Sequence, residues 1–507
     1  MKTYHTIKTL ALGGIAMFSL ASCSLDYEPL SEPSEITQGG QTETSTAVLK
    51  DKAAADAQLK SLYELFRNRQ EHTHLDYLLI GDSHSDNAYA GTTGAEVVPY
   101  ETNSIDASNS VLSRDWNRYL EDIAKANVLI NGVEQLKENG QISEAEYHSY
   151  KAQGEIFRAL MMFRMARLWG SFPVITTIAK TITSDNINEV YPTYYPPRKT
   201  PKECYEQIIA DLTDAEQYAP DNDNSDRTKM TKNVAQAMLA KVYAEKEVQD
   251  YDKVIAYADK VMNTTGVELE DSYETLWGYD ETAIDCMKRN TKEGILEVHW
   301  SGGGNWETWM YGRQLDNWDY YFTWAKWITP SRDIINDFDK EDDEVRKNQA
   351  IVYYACTWSN YYPASNYPFM YKLRSSYNNI YWVRLADIIL MKAEAEAYKG
   401  NLAESAKLVN QIRKRAKLKE LTSDKTGSKE AMIEAVLHER RLELAFEGER
   451  WFDLCRNNKV EKYLNGIDNR DSGRIRQVKQ FDSNSYLLPI PQTALDQNTN
   501  LEQNPGY

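Results

Sequence analysis

The chain has 507 residues and a formal net charge of −18, so it is long enough for one large domain or two ordinary ones. An acidic balance of this size argues against nucleic acid as a partner, because nucleic-acid binders need a basic footprint. The four cysteines after residue 23 lie far apart and form no CxxC pair, which excludes the common zinc and redox motifs. The composition is rich in Tyr and Trp, with 34 Tyr and 12 Trp against 11 Phe.

The first 22 residues are predicted to be a signal peptide. Residues 10–20 form an apolar run that is shorter than the roughly 20 residues a membrane-spanning helix needs, but long enough for a secretory signal core. The run ends in Leu20-Ala21-Ser22-Cys23, which resembles the lipobox of bacterial lipoproteins. The resemblance implies cleavage before Cys23, lipidation of its thiol and a lipid anchor in the membrane. An ordinary cleaved signal with an incidental cysteine is the alternative.

Residues 23–46 are polar and are predicted to be a flexible tether. Residues 47–507 are predicted to form a single, mostly α-helical domain. Apolar residues recur there at spacings of three and four, which predicts buried helical faces. The predicted helices are one from about Ser45 to Phe66, two between Asp115 and Trp169 that end at Gly170, and others at 201–218, 231–247, 251–263 and 382–417.

The predicted helices fall into two groups, at about 112–264 and 382–456. Small residues at the helix crossings and an aromatic residue near the turns are typical of tetratricopeptide-like (TPR-like) helix pairs. Residues 270–380 between the groups hold few alanines and many aromatic residues, and 295–300 is predicted to be a short strand. We therefore expect a TPR-like scaffold with a large irregular insertion, and such insertions often carry the binding face.

Tryptophans are concentrated in one part of this insertion. An indole ring packs against the C–H face of a sugar, while amide, carboxylate and guanidinium groups bind its hydroxyls. The residues predicted to supply both kinds of contact are Trp306, Trp309, Arg313, Asp316, Asn317 and Trp318. The alternative is that tryptophans of this region are core, and this is the prediction for Trp300, Trp324 and Trp327.

The segment from Glu439 to Leu454, ERRLELAFEGERWFDL, resembles the hallmark of the SusD/RagB family of glycan-binding surface lipoproteins. Segments at 116–127, 154–159, 231–243, 384–395 and 488–507 resemble the family in the same order. The resemblance implies a SusD-like fold, capture of an oligo- or polysaccharide without catalysis, and an outer-membrane anchor facing the cell exterior. It also implies that a SusC-like TonB-dependent transporter is the partner.

In this family the glycan site is a shallow patch built from variable loops. The resemblance, together with side-chain chemistry, suggests as further contributors Asp82, Asp86, Asn87 and Tyr89 in the 81–100 loop, and Trp358, Tyr361 and Tyr362 in the insertion.

Charged residues of the hallmark segment alternate with apolar ones at helical spacings, which predicts a structural charge lattice. Glu443 and Glu447 are therefore predicted to be ion-paired, and a catalytic carboxylate pair is the alternative. Gly448 is costly inside a helix, so it is predicted to lie where two backbones approach closely.

Enzyme motifs such as GxSxG, HExxH and the P-loop are missing from the sequence. His72, His74 and His84 form no metal set. The oxygen-rich stretches 221–226 and 339–344 could bind Ca²⁺ weakly, but neither has EF-hand spacing, and solvated turns are the favoured interpretation. Two functional alternatives stay open: a lipoprotein that captures peptides or another nutrient for a similar transporter, and a glycoside hydrolase.

Overall fold

The computed structural model describes residues 49–91, 94–300, 327–375 and 377–507. Helices dominate this part of the chain. Those with at least seven residues are numbered α1 to α12 and are Lys52–Asn68, Ser110–Glu138, Glu144–Trp169, Pro201–Tyr218, Lys232–Ala244, Tyr251–Met262, Arg332–Lys340, Glu344–Ala350, Leu385–Lys399, Leu402–Arg415, Lys429–Glu443 and Arg450–Arg456.

Shorter helical turns connect these helices. The α-helical ones are Asp76–Leu78, Val98–Thr102, Ile187–Val190, Tyr273–Trp277, Ser423–Thr426, Val460–Leu464, Ile467–Arg470 and Gln492–Gln497. Two π-helical turns, Glu71–Leu75 and Leu79–Ser83, flank Asp76–Leu78, and the 3₁₀ turns are Tyr191–Tyr194, Ala364–Asn366 and Ser483–Tyr486.

The long helices pack in chain order, as a solenoid of helix pairs does. Helix α2 packs on α3, α3 on α4, α4 on α5 and α5 on α6. Helix α9 then packs on α6 as well as on α10 and α11, which joins the two helix groups that the sequence separates. One continuous apolar core results, with Trp116, Trp169 and Trp451 among its largest fully buried side chains. The structure therefore confirms the predicted TPR-like helical class.

Local sequence signals set most of the helix ends. Ser143 with Glu146 and Thr200 with Glu203 form capping boxes at the starts of α3 and α4. Gly170 ends α3 with a φ of 73°, in the left-handed region that favours glycine, as its position in the sequence predicts. The prediction of a first helix from about Ser45 is wrong, because Asp51 accepts a hydrogen bond from the Ala54 N–H and caps a helix that begins at Lys52.

Strands are short and form two-stranded antiparallel sheets in the described residues. They are numbered β1 to β8 and are Ala88–Tyr89, Tyr279–Asp280, Asp285–Cys286, Gly294–His299, Thr329–Pro330, Ile351–Tyr354, Tyr367–Met370 and Asn379–Arg384. Strand β4, predicted at 295–300, pairs with β8, and β6 pairs with β7 as a hairpin. The pair β1–β5 holds Tyr89 opposite Thr329, so the loop after α1 lies beside strand β5 of the insertion.

The hallmark segment is not one helix. Helix α11 ends at Glu443 and α12 begins at Arg450, and the turn between them places Phe446 and Gly448 at positive φ. The close approach predicted for Gly448 is confirmed: a Cβ on Gly81 would lie 2.1 Å from the Gly448 carbonyl oxygen. Two glycines therefore let the loop after α1 contact the C-terminal motif.

Among the described residues, none of the helices combines the length and the apolarity that crossing a bilayer requires.

Candidate functional site

Three polar residues of the 81–100 loop attach it to the hallmark segment. Asp82 accepts hydrogen bonds from the backbone N–H of Phe446 (3.1 Å) and of Gly448 (3.0 Å). Asp86 accepts two from the Arg450 guanidinium, at 2.8 and 2.9 Å, and the Asn87 side-chain oxygen Oδ1 accepts one from Arg441 at 3.0 Å. The prediction that Asp82, Asp86 and Asn87 contact a ligand is therefore wrong, because all three are buried and their polar atoms hold the fold together.

The pKa values of Asp82 and Asp86 are shifted in opposite directions. Burial raises the pKa of Asp82 to about 7 despite its hydrogen bonds from Asn87 and two backbone N–H groups. Burial acts in the same direction on Asp86, but the charges of Arg441 and Arg450 outweigh it and hold the pKa of Asp86 far below its ordinary value. The anion of Asp86 is thus the counter-charge of two buried arginines.

Tyr89 is also buried, which corrects its prediction as a ligand contact. Its ring stacks on that of Tyr361, with centroids 4.3 Å apart and an interplanar angle of 21°. Its hydroxyl donates to Asp471 Oδ1 at 2.6 Å, and the Tyr361 hydroxyl donates to Glu101 Oε2, also at 2.6 Å. Tyr361 is only 8% exposed, so this pair is a rigid layer beneath the surface and not an open platform.

The structure does bring the two predicted loops together. Glu101 accepts the backbone N–H of Ala90 (2.8 Å) and of Ile475 (2.9 Å), in addition to the Tyr361 hydroxyl. The Asn360 side-chain amide donates to the Gly91 carbonyl oxygen at 2.9 Å. The loop after α1 and the turn between β6 and β7 are therefore fixed against each other.

Four residues near this pair are half-buried, and we call them the aromatic surface: Trp358, Tyr362, Arg332 and Asn360. The Arg332 guanidinium lies over the Tyr362 ring, 4.2 Å from its centroid, and the Tyr362 hydroxyl donates to the Pro330 carbonyl oxygen at 2.8 Å. The Trp358 ring meets Tyr367 edge to face at 4.4 Å. Its indole Nε1 is buried without a hydrogen-bond partner. Fixed rings next to a guanidinium and an amide are the groups that bind a sugar.

The six other predicted ligand contacts lie outside the described residues: Trp306, Trp309, Arg313, Asp316, Asn317 and Trp318. The same is true of Cys23 and of Trp324. Trp300 is core as predicted, at 3% exposed, and Trp327 packs against the core while half-buried. Strand β5 contacts the aromatic surface through Pro330, whose carbonyl oxygen accepts the Tyr362 hydroxyl.

Sequence reasoning missed four polar residues of this region: Arg332, Asn360, Glu101 and Asp471. Each is a single polar residue in an unremarkable local sequence, and the four come from separate stretches of the chain. Only the tertiary structure shows that they surround Tyr89 and Tyr361. No local sequence motif contains such a set of residues.

Glu443 and Glu447 are ion-paired as predicted, but their partners lie outside the hallmark segment and form a buried ion network with it, not a lattice along one helix. Glu443 contacts Arg384 at 2.7 Å, Arg415 at 2.5 Å and Arg346 at 3.3 Å, and it accepts the Tyr273 hydroxyl at 2.6 Å. Glu447 pairs with Arg384 at 2.7 Å and with Lys372 at 2.6 Å. Burial opposes the ionisation of both acids, but the surrounding cations hold their pKa values below the ordinary range.

The two oxygen-rich stretches behave as turns. Asp223 accepts hydrogen bonds from Ser225 and pairs with Lys229 at 2.8 Å, and Asp339 pairs with Lys347. Within the part of the chain that the structure describes, no group of three or more His, Cys, Asp or Glu side chains could hold a metal ion.

Comparison with known proteins agrees with this architecture. Residues 292–507 match the model of the SusD family, and residues 41–244 match that of a family described as "Starch-binding associating with outer membrane". Among curated relatives, SusD-like protein P2 of Formosa agariphila is 27% identical, over 79% of this chain and 81% of its own length. A SusD-like protein of Bacteroides ovatus is 25% identical, over 78% of this chain and 74% of its own length.

Solved structures of the same superfamily share the fold. A SusD superfamily protein from Bacteroides vulgatus superposes with a TM-score of 0.74 at 20% identity, covering 91% of this chain and 100% of that one. A protein described as a laminarin-binding SusD-like protein gives a TM-score of 0.69 at 22% identity, covering 90% and 100%. With two family models that together match most of its length, the chain belongs to the SusD/RagB family, whose members are binding proteins and not enzymes.

Proposed function

We propose that this protein captures an oligo- or polysaccharide outside the cell and delivers it to a SusC-like TonB-dependent transporter, without breaking a bond. Membership of the SusD/RagB family is the observation that carries the proposal. One structural neighbour is described as laminarin-binding, and the N-terminal half matches a family described as starch-binding. Both descriptions support a glycan as the ligand class.

The aromatic surface is the proposed binding site in the described residues. Tyr362 packs against Tyr89 and Tyr367, and Trp358 packs edge to face on Tyr367, so both half-buried rings are preorganised for a ligand. The Arg332 guanidinium supplies donors for sugar hydroxyls. Trp306, Trp309 and Trp318 lie outside the described residues and stay predicted contributors.

A shallow surface buries little ligand area, so binding of a single short glycan is expected to be weak, with a Kd of about 1 μM to 1 mM. A long polymer that contacts several copies of an anchored protein gains avidity. Lipidation of Cys23 and anchoring at the outer membrane are part of the proposal and follow from the lipobox-like sequence. Metabolic labelling with a palmitate analogue should label the wild type, whereas Cys23→Ala should stay unlabelled.

Affinity electrophoresis against a panel of polysaccharides that includes laminarin and starch tests the site. Trp358→Ala and Tyr362→Ala should each abolish the retardation that the wild type shows on its best polysaccharide. Tyr191→Ala is the matched control, because Tyr191 is a 40% exposed aromatic residue outside the aromatic surface. Circular dichroism checks that each variant is folded. Unchanged retardation of both folded variants would contradict the proposed site.

A further inference from the structure

A small groove lies where helix α2, the loop after α3 and the last residues of the chain meet. We call it the C-terminal groove, and it shares no residue with the aromatic surface. Its cavity measures about 50 Å³. Clefts that enclose a whole small molecule have volumes of roughly 300–1,000 Å³, so this one has room for a single small group of a ligand and not for a sugar ring.

The lining of the C-terminal groove is mostly apolar. Leu120, Pro173 and Leu501 are buried residues of the three segments, and Tyr195 and Pro196 line the groove while half-buried. Among the described residues, none of those that line the groove is charged. A charged group would lose its hydration here without gaining a counter-charge, so the lining favours a neutral ligand.

Hydrogen bonds fix the three segments against one another. The Asn498 side-chain amide donates to the Pro196 carbonyl oxygen at 2.9 Å, which joins the C-terminal segment to the loop after α3. The hydroxyl oxygens of Ser113 and Thr493 lie 2.7 Å apart, which joins α2 to the same C-terminal segment. The groove is therefore formed before a ligand arrives, and binding does not have to order its walls.

Two side-chain amides of the lining are available to a ligand. Asn117 is half-buried and Gln497 is exposed, and neither side chain hydrogen-bonds to another residue in the part of the chain that the structure describes. A side-chain amide carries both donors and an acceptor. The two amides therefore match a neutral ligand group that itself donates and accepts.

We propose that the C-terminal groove binds the acetamido group of an N-acetylhexosamine residue. The acetyl methyl group occupies the apolar cavity, and the acetamido N–H and carbonyl oxygen pair with the side-chain amides of Asn117 and Gln497. The sugar ring stays at the mouth and packs on Tyr195 and Pro196. The proposal rests on the proposed function in that the ligand is again a glycan, but it names a different site and a class of sugar.

Saturation-transfer difference NMR with the folded protein tests the proposal, because it detects weak binding and shows which ligand protons contact the protein. The probes are the methyl β-glycosides of N-acetylglucosamine and N-acetylgalactosamine, each compared with the methyl β-glycoside of glucose or galactose, in which a hydroxyl replaces the acetamido group. At least one acetamido sugar should give a signal about fourfold or more stronger than its hydroxyl counterpart, because its methyl group is buried on binding. The acetyl methyl protons should be the most strongly saturated.

The variant Asn117→Ala/Gln497→Ala should lose the preference for the acetamido sugar. Gln492→Ala is the matched control and should keep it, since Gln492 is an exposed glutamine of the helical turn Gln492–Gln497 that does not line the groove. Circular dichroism checks that both variants are folded.

No signal from either acetamido sugar, equal signals from acetamido and hydroxyl sugars, or an unchanged preference in the folded double variant would overturn the proposal. Trp358→Ala alters only the aromatic surface and should keep the preference, and its loss there would also overturn the proposal. Retardation on a polysaccharide without acetamido groups should be lost in Trp358→Ala and kept in Asn117→Ala/Gln497→Ala. Failure of one site is therefore distinguishable from failure of the other.

Discussion

Glu443 lies at the centre of the buried ion network, and replacing it with Gln is the sharpest test of what holds the fold together. The side chain is 1% exposed and contacts three guanidinium groups, those of Arg384, Arg415 and Arg346. Gln keeps the shape but removes the negative charge, which leaves the arginines buried with too little counter-charge. Removing one partner of a buried ion pair costs about 3–5 kcal/mol.

Urea unfolding followed by tryptophan fluorescence measures this cost. With a slope of about 3 kcal/mol per molar urea, the midpoint of Glu443→Gln should fall by about 1–2 M. The control Glu206→Gln changes a 61% exposed glutamate that pairs with Lys202, and it should shift the free energy of unfolding by about 0.5 kcal/mol or less. Equal midpoints for Glu443→Gln and wild type would refute the structural role of Glu443.

The pH dependence gives an independent check with a defined sign. Arginines hold the pKa of Glu443 below its ordinary value although burial opposes this, whereas in the unfolded chain the pKa is about 4.3. The stabilisation by Glu443 is therefore complete above the unfolded pKa and is lost as the pH falls towards the folded one. Between pH 7 and pH 3 the wild type should lose more stability than Glu443→Gln, and parallel curves would contradict the reasoning.

Further predictions concern the contact between the loop after α1 and the hallmark segment. In an unfolding titration, Gly81→Ala should destabilise the fold by about 3 kcal/mol, because its Cβ would overlap the Gly448 backbone. The control Gly140→Ala should cost only about 1–2 kcal/mol, because its Cβ meets open space and only the φ of 68° is unfavourable. Asp82→Asn places an NH2 group, which is a donor, opposite the Gly448 N–H and should lower the free energy of unfolding by about 1–3 kcal/mol. An unchanged urea midpoint would show that this N–H does not need the carboxylate.

The sequence predicts the helical class well, because the helix signals are local. Ser143, Thr200 and Gly170 act within one turn of their own positions, and the apolar spacing of the long helices needs no tertiary information. The break in the hallmark segment was missed because Leu442, Leu444 and Ala445 keep a helical apolar pattern across it. The positive φ of Phe446 and Gly448 depends on the contact with Asp82, which lies more than 360 residues earlier in the chain.

The candidate site was predicted less well, because its contacts join residues that are far apart in the sequence. A polar loop that contains Asp82, Asp86 and Asn87 looks solvent-exposed when it is read locally. Its partners, Arg441 and Arg450, lie in the hallmark segment, and the sequence does not say which acids neutralise those arginines. The proximity of residues 358–362 to the loop after α1 was expected from the resemblance alone, and the structure supplies the contacts of Asn360 with Gly91 and of Tyr362 with Tyr89.

The most direct test of the central claim is a crystal structure of the protein with a short oligosaccharide from its best polysaccharide. The account predicts a sugar ring packed on Trp358 or Tyr362, with a hydroxyl within hydrogen-bond distance of Arg332. A glycan bound elsewhere, with the aromatic surface uncovered, would contradict it.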